Sequence, residues 1–305
     1  MRREQSLIYG ADFGPPRSAA HGLTLVELLV VLTILAILAG VAVVSTDTVI
    51  RQGRFEATQQ TLVAIERAVL GPDPYRSEDG TLGMGGFVAD MGRLPVDLSE
   101  LWEPGDWPAF GFVAATADQV DSEHEDGQVV VPSGWRGPYL RLPIGRRELL
   151  DGWGNVLQLE PDDGEILRIS SPGPDLLEGD PAWELEDLED LAVVFRKGDF
   201  DRTRTEIQVT VWQRGEDGLE PPGGTGDLKV RLFSPYEGGV IVAPSESVQL
   251  NSEPPSFVFT EVPIGTHVVR AYVNGSERKS PPLQIKVHPL RSTTWQLVLP
   301  AAGDS

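Results

Sequence analysis

Glu27 is the only charged residue between Leu23 and Val44, and it sits directly downstream of Gly22 at the fifth position of that run. A carboxylate in an apolar stretch is costly unless it protonates or meets a partner. Two readings fit an acid at this depth: it reaches lipid headgroups from the interface, or it waits for a buried cation. Other chemistry is sparse. The chain has no cysteine, so disulfides, thiolate metal sites and thiol catalysis are excluded. Its four histidines, His21, His124, His267 and His288, lack the spacing of zinc ligands and read as structural. No Ser/His/Asp set or nucleophile elbow is recognisable, so the chain reads as a non-enzyme. Acidic residues abound, and the net charge of −21 repels phosphate backbones, which argues against a nucleic-acid partner. Acids at this density instead suit hard cations such as calcium.

The elements that position these groups follow from periodicity. Residues 1–22 form a polar leader broken by Pro15 and Pro16. Residues 23–44 are long enough as a helix to span a bilayer core of about 30 Å. Beyond Val44, Phe55, Leu62, Ile65 and Val69 recur at helical spacing among Arg51, Arg54, Glu56, Gln59 and Glu66, which predicts an amphipathic helix over 45–71. Gly71–Pro72 is its stop signal. The stretch around Leu98–Leu101 predicts a short helical piece with Asp97 or Ser99 as cap. Short β-runs are expected at "PYLRL", "NVLQLEP", "EILRISS" and "AVVFRKG". From residue 205 onward eight alternating segments at about ten-residue spacing predict an all-β sandwich. The fold class is therefore α+β: a long N-terminal transmembrane and amphipathic helix packed on a small antiparallel sheet, followed by an all-β sandwich. The expected divisions are 1–22 leader, 23–71 helix, 72–200 α+β domain and 201–305 β-sandwich.

The boundary Gly22, then Leu-Thr-Leu-Val-Glu, then the apolar run resembles the signal of type IV prepilins and pseudopilins across roughly residues 22–70. The resemblance implies cleavage by prepilin peptidase between Gly22 and Leu23, methylation of the new N-terminus at Leu23, and an assembly role for Glu27. Leu23 stands where Phe or Met is commoner, and the leader is long. Cleavage would free an α-amine, and Glu27 could pair with that amine of its own or a neighbouring subunit, so that its burial is offset only in register.

Three further strings, Trp135/Gly137/Pro138/Tyr139/Leu140, Asp151/Trp153/Gly154/Asn155 and Ser171/Gly173/Asp175, resemble in order the C-terminal half of the major pseudopilin of type II secretion. That resemblance implies a calcium loop using Asp175, with Asp187 and Asp190 as candidates for the later acid; Leu176 and the insertion "LEGDPAWELE" depart from the family pattern. The bland reading of Trp135, Tyr139 and Trp153 is an aromatic core. Phe257, Phe259, Val262, Pro263, Gly265, His267 and Val269 resemble the strand–turn–strand of the carboxypeptidase-regulatory-like, prealbumin-type sandwich, with His267 where Tyr is usual. Such a module implies no catalytic role and a place for contact with cargo, other subunits or sugar; a generic immunoglobulin-like spacer is an equal reading of the same strands.

Taken together, the resemblances imply a pseudopilin-like structural subunit of a type II secretion system. It would be a single-pass inner-membrane protein with its C-terminal part in the periplasm, extracted into a self-assembled pseudopilus by the secretion platform. The alternative is a type IV pilin or minor pilin in adhesion or DNA uptake.

Overall fold

The computed structural model describes residues 24–71, 85–116, 129–162, 165–174, 191–197, 200–224, 226–250, 253–276, 278–288 and 292–301, with the backbone alone at 39–48. The chain divides into two compact units, Met1–Gln52 and Gly53–Ser305.

Helix α1 runs over Leu25–Leu70. In the first unit it exposes Leu25, Leu28, Leu29, Leu32, Leu35 and Leu38 among other apolar side chains. Among the described residues no helix is long and apolar enough to cross a membrane. The expected span of 23–44 includes Leu23 and 39–44, whose side chains lie outside the described residues. In the second unit the amphipathic pattern is realised, with Leu62, Ile65, Ala68 and Val69 buried. The helix stops where expected. Gly71 takes φ 89°, and its N–H donates to the Arg67 carbonyl at 2.9 Å, the left-handed cap that glycine supplies at least cost.

Beyond α1 come α2 (Phe87–Met91) and a 3-10 turn (Leu98–Leu101). Asp97 caps that turn by accepting the Ser99 N–H at 2.7 Å, so of the two expected candidates Asp97 is the cap and Ser99 supplies only the donor. The antiparallel pair β1 (Gly111–Ala114) and β2 (Val130–Ser133) follows. An antiparallel sheet is then built from β3 (Gln158–Asp162), β4 (Glu165–Ser170) and β5 (Ala192–Val194) in that order. A two-residue pair, β6 (Arg196–Lys197) and β7 (Phe200–Asp201), ends this part.

The expected strand at "PYLRL" is not formed. Pro138 and Pro143 have no N–H to give a ladder, and the Tyr139 and Leu140 N–H groups both donate to the Leu101 carbonyl.

The eight C-terminal segments all become strands. They are β8 (Arg204–Arg214), β10 (Asp227–Tyr236), β11 (Gly239–Pro244), β12 (Val248–Gln249), β13 (Ser256–Pro263), β14 (Gly265–Val273), β15 (Leu283–Val287) and β16 (Thr293–Leu299), with a short β9 (Leu219–Glu220) added between β8 and β10. One sheet has the order β11-β10-β14-β15 with β12 on β10; the other has β13-β8-β16 with β9 on β8. All pairings are antiparallel except β8–β16, which is parallel. Alternate residues Ile207, Val209 and Val211 of β8 meet Leu228, Val230 and Leu232 of β10 in one buried cluster that also takes residues from β13 to β16. This is the period-two burial the sequence pattern demands.

A second cluster gathers Leu62, Ile65 and Val69 with Phe87, Met91, Leu101, Ile166, Ile169 and Phe195. A third links Val129 and Val131 to Phe233, Val240 and Val268. Residues on either side of position 201 thus share one apolar core. The approach is close. A Cβ on Gly92, at φ 74°, would stand 2.0 Å from the Pro235 carbonyl oxygen, so the α2 end admits only glycine there.

Candidate functional site

Thr24 and Glu27 close the start of α1 on each other. The Thr24 N–H donates to Glu27 Oε2 at 2.9 Å, and the Thr24 hydroxyl donates to the same oxygen at 3.0 Å. In return the Glu27 N–H donates to Thr24 Oγ1 at 3.2 Å. This is a capping box, in which the first-turn side chains satisfy orphan helix donors reciprocally. The anion also lies at the positive end of the helix dipole. Glu27 therefore has a local partner within a single chain. Its second oxygen, Oε1, has none among the described residues, so it is free to accept from another donor. Gly22 and Leu23, the expected cleavage position and the residue expected to carry the new amine, lie outside the described residues. Thr24 joins Glu27 at this site, and Thr-x-x-Glu ahead of an apolar run is its signal in the sequence. Nearly two turns on, the Thr33 hydroxyl donates to the Leu29 and Val30 carbonyls at 2.7 and 2.9 Å, which hides the third polar side chain of the run.

The second and third strings of the middle region come together. Asp151 is buried, and its Oδ1 accepts the N–H groups of Trp153 and Asn155 at 2.9 and 2.7 Å. Its Oδ2 accepts the Ser171 hydroxyl at 2.8 Å. Asn155 Nδ2 donates to the Gly173 carbonyl at 2.6 Å. The Gly152 N–H reaches back to Thr58 Oγ1 at 2.8 Å on α1. The Asp, Asn and Ser of these strings are thus a fastening between two loops and the helix.

The first string goes elsewhere. Trp135 Nε1 donates to the Glu100 carbonyl at 2.7 Å, and the Trp135 and Tyr139 rings meet edge-on at 5.8 Å. Both pack against the cluster around Phe87, as the core reading expected. Asp175, Asp187 and Asp190, the expected calcium ligands, lie outside the described residues. Among the described residues no group of three His, Asp or Glu side chains is placed to hold a metal ion.

Two buried titratable groups have displaced pKa values. Asp90 on α2 pairs with Arg136 Nη2 at 3.1 Å and accepts the Tyr139 hydroxyl at 3.1 Å. Burial nonetheless pushes its carboxyl up to about 6, against the pull of Arg136. His267 on β14 is fully buried between Ser234 Oγ at 2.9 Å and the Pro263 carbonyl at 2.8 Å. The carbonyl requires Nε2–H, so Nδ1 accepts from Ser234. Burial lowers the imidazole to about 4. The two groups act in opposite directions. A carboxyl raised in the folded state contributes stability present below its unfolded pKa and lost as pH rises through about 6. An imidazole lowered in the folded state contributes stability present above its unfolded value and lost as pH falls through about 4. Asp90→Asn should therefore lose its stability difference from wild type in one direction only. The wild type's advantage is expected to shrink by roughly 2–3 kcal/mol between pH 4 and pH 7. Urea unfolding across that range measures it, and a pH-independent difference would contradict the assignment to Asp90.

Residues 17–43 match the prokaryotic N-terminal methylation motif. No curated protein and no solved structure matches the chain. The motif is the signal of type IV pilin-like and pseudopilin-type chains, which are structural subunits rather than enzymes. It implies processing by prepilin peptidase, anchoring in the inner membrane and assembly into pilus-like polymers.

Proposed function

We propose that this chain is a pseudopilin-like subunit of a type II secretion system, cut after Gly22, methylated at Leu23 and polymerised into a periplasmic pseudopilus. One observation carries the reading: an acid at the fifth position behind Gly22, inside a matched methylation motif that spans residues 17–43. The geometry of the helix start supports it. Thr24 holds one oxygen of Glu27 and leaves the other for a cation, which the freed amine of Leu23 would supply. An acid so placed is tolerated in the waiting subunit and gains fully only when a neighbour or its own terminus completes it. The three ordered strings at 135–140, 151–155 and 171–175 favour secretion over the alternative of a type IV pilin or minor pilin. The C-terminal sheets would stand outside the helical bundle, where cargo and other subunits pass.

Gly22→Val should accumulate as the uncut precursor beginning at Met1, because a branched side chain at the cleavage position blocks the peptidase. N-terminal sequencing reads this directly, and a Gly22→Val chain that matures at Leu23 would overturn the reading. Deletion of the gene should stop export of a secreted protein; loss of surface pili with export intact would favour the pilin alternative.

Calcium belongs to the same reading, through Asp175 and either Asp187 or Asp190. Calorimetric titration of the intact protein in detergent should give saturable binding in the micromolar to millimolar range of extracellular calcium modules. Loss of that binding in Asp175→Asn would assign the site, and no heat in that range would remove calcium from the proposal.

A further inference from the structure

The chain is strongly acidic, yet Arg136, Arg141, Arg146 and Arg147 stand close together in sequence with no acid among them. The middle of this segment is a tight turn. The Arg146 N–H donates to the Pro143 carbonyl at 3.1 Å, and Gly145 takes φ 82°, as the third position of a type II turn requires. The turn presents Ile144 at 105% exposure. Arg146 and Arg147 are exposed beside it, with no side-chain hydrogen bond or ion pair among the described residues. A fully exposed isoleucine followed by two exposed guanidiniums offers an apolar anchor with positive charge at its rim, the chemistry of an interface, where apolar anchors and arginines concentrate.

A complementary tip exists on the same chain. The loop joining β8 to β9 is closed by the Gly215 N–H donating to the Gly218 carbonyl at 2.7 Å. It presents Glu216 and Asp217, both exposed and without a side-chain partner among the described residues, beside Leu219 at 52% exposure. Counting exposed Glu148 with Arg146 and Arg147, and exposed Arg214 with Glu216 and Asp217, the first tip is net basic and the second net acidic, so self-pairing of either would set net like charges against each other. Each fits the other tip on a second molecule.

We propose that the Ile144 turn of one copy docks on the Glu216–Leu219 tip of the next copy. Such a contact is heterologous, and repeated heterologous contacts that do not close into a ring build an open helical polymer. The inference rests on the assembly reading above, and it adds a polar register lock between the bodies to the one between the helices. Charge complementarity at the rim of such a contact would speed encounter and select the partner, and it would weaken as salt rises.

The absence of native cysteine permits a clean test. The full-length chain carrying Ile144→Cys and Leu219→Cys is expressed in a bacterium with a prepilin peptidase, and its membranes are oxidised. A ladder of cross-linked multimers is expected from the double variant and not from either single one. Adding Arg146→Glu and Arg147→Glu should reduce the ladder roughly tenfold, and further adding Glu216→Arg and Asp217→Arg should restore it. Absence of the ladder, equal cross-linking by a single cysteine, or failure of the charge swap to restore it overturns the contact. N-terminal sequencing and sedimentation of the same sample separate the two readings. Sedimentable polymer beginning at Leu23 without a ladder sinks the contact alone. A ladder on chains still beginning at Met1 sustains the contact and sinks the maturation reading.

Discussion

Glu27→Leu should still be cut after Gly22 and should remain in the membrane, while polymer falls by about two orders of magnitude. The reasoning is energetic. An acid within an apolar span costs roughly 2.5–3.5 kcal/mol when no partner meets it. At about 1.4 kcal/mol per factor of ten, that penalty separates a correctly placed subunit from a slipped one by about a hundredfold. Leucine removes the penalty and the discrimination together, because a uniformly apolar helix slides in lipid without loss. Thr24 modifies the effect. Its hydroxyl and N–H hold Glu27 in the lone chain, so Thr24→Val should leave the acid in place and weaken only the helix start, by about 1 kcal/mol. Sedimentable polymer measured against total mature protein tests the acid, and wild-type polymer from Glu27→Leu would refute its role.

Arg93→Ala should lower the unfolding midpoint of the protein by about 10 °C. Arg93 is buried, and its guanidinium grips Glu100 with two bonds, Nη1 at 3.0 Å and Nη2 at 2.8 Å. Nε donates to Glu237 at 3.1 Å, and Nη1 also donates to the Leu94 carbonyl at 2.8 Å. Its cation lies over the rings of Phe87 and Trp107, at 5.3 and 4.8 Å. Burial works against the charge, but the two carboxylates outweigh it and hold the guanidinium above its ordinary pKa. Truncation strands Glu100 in a half-buried site, and removing one partner of such a pair costs about 3–5 kcal/mol. A body of this size loses about 2–4 °C per kcal/mol. Arg93→Met with Glu100→Gln should recover at least half of the loss, since the stranded charge goes with the cation. A midpoint change below about 3 °C in Arg93→Ala would show that solvent reaches Glu100 freely.

Much of the architecture was legible because its signals are local. The alternation in "TEIQVTVWQ" became β8 with Ile207, Val209 and Val211 inside, and "DLKVRLFSP" became β10, which is buried on both faces from Val230 to Pro235. Gly71 ended α1 because a left-handed cap is a property of one residue. Asp97 was a readable cap for the same reason. "PYLRL" reads as a strand by its apolar pattern, while Pro138 and the following Pro143 deny the ladder, and which force wins depends on the distant Leu101 carbonyl. The Thr24–Glu27 box is equally local, since its partners stand three positions apart in the sequence.

The sequence by itself determined the helix, its stop, the strand pattern and the motif that sets Glu27 behind Gly22, since each depends on neighbours a few residues apart. Tertiary structure alone decided what joins across long separations. It brought Arg93 to Glu237, Val131 to Phe233 and Val268, and the last strand β16 alongside β8 in parallel. Those pairings depend on which buried surfaces and charges match once the chain has collapsed, and local spacing carries no record of that choice.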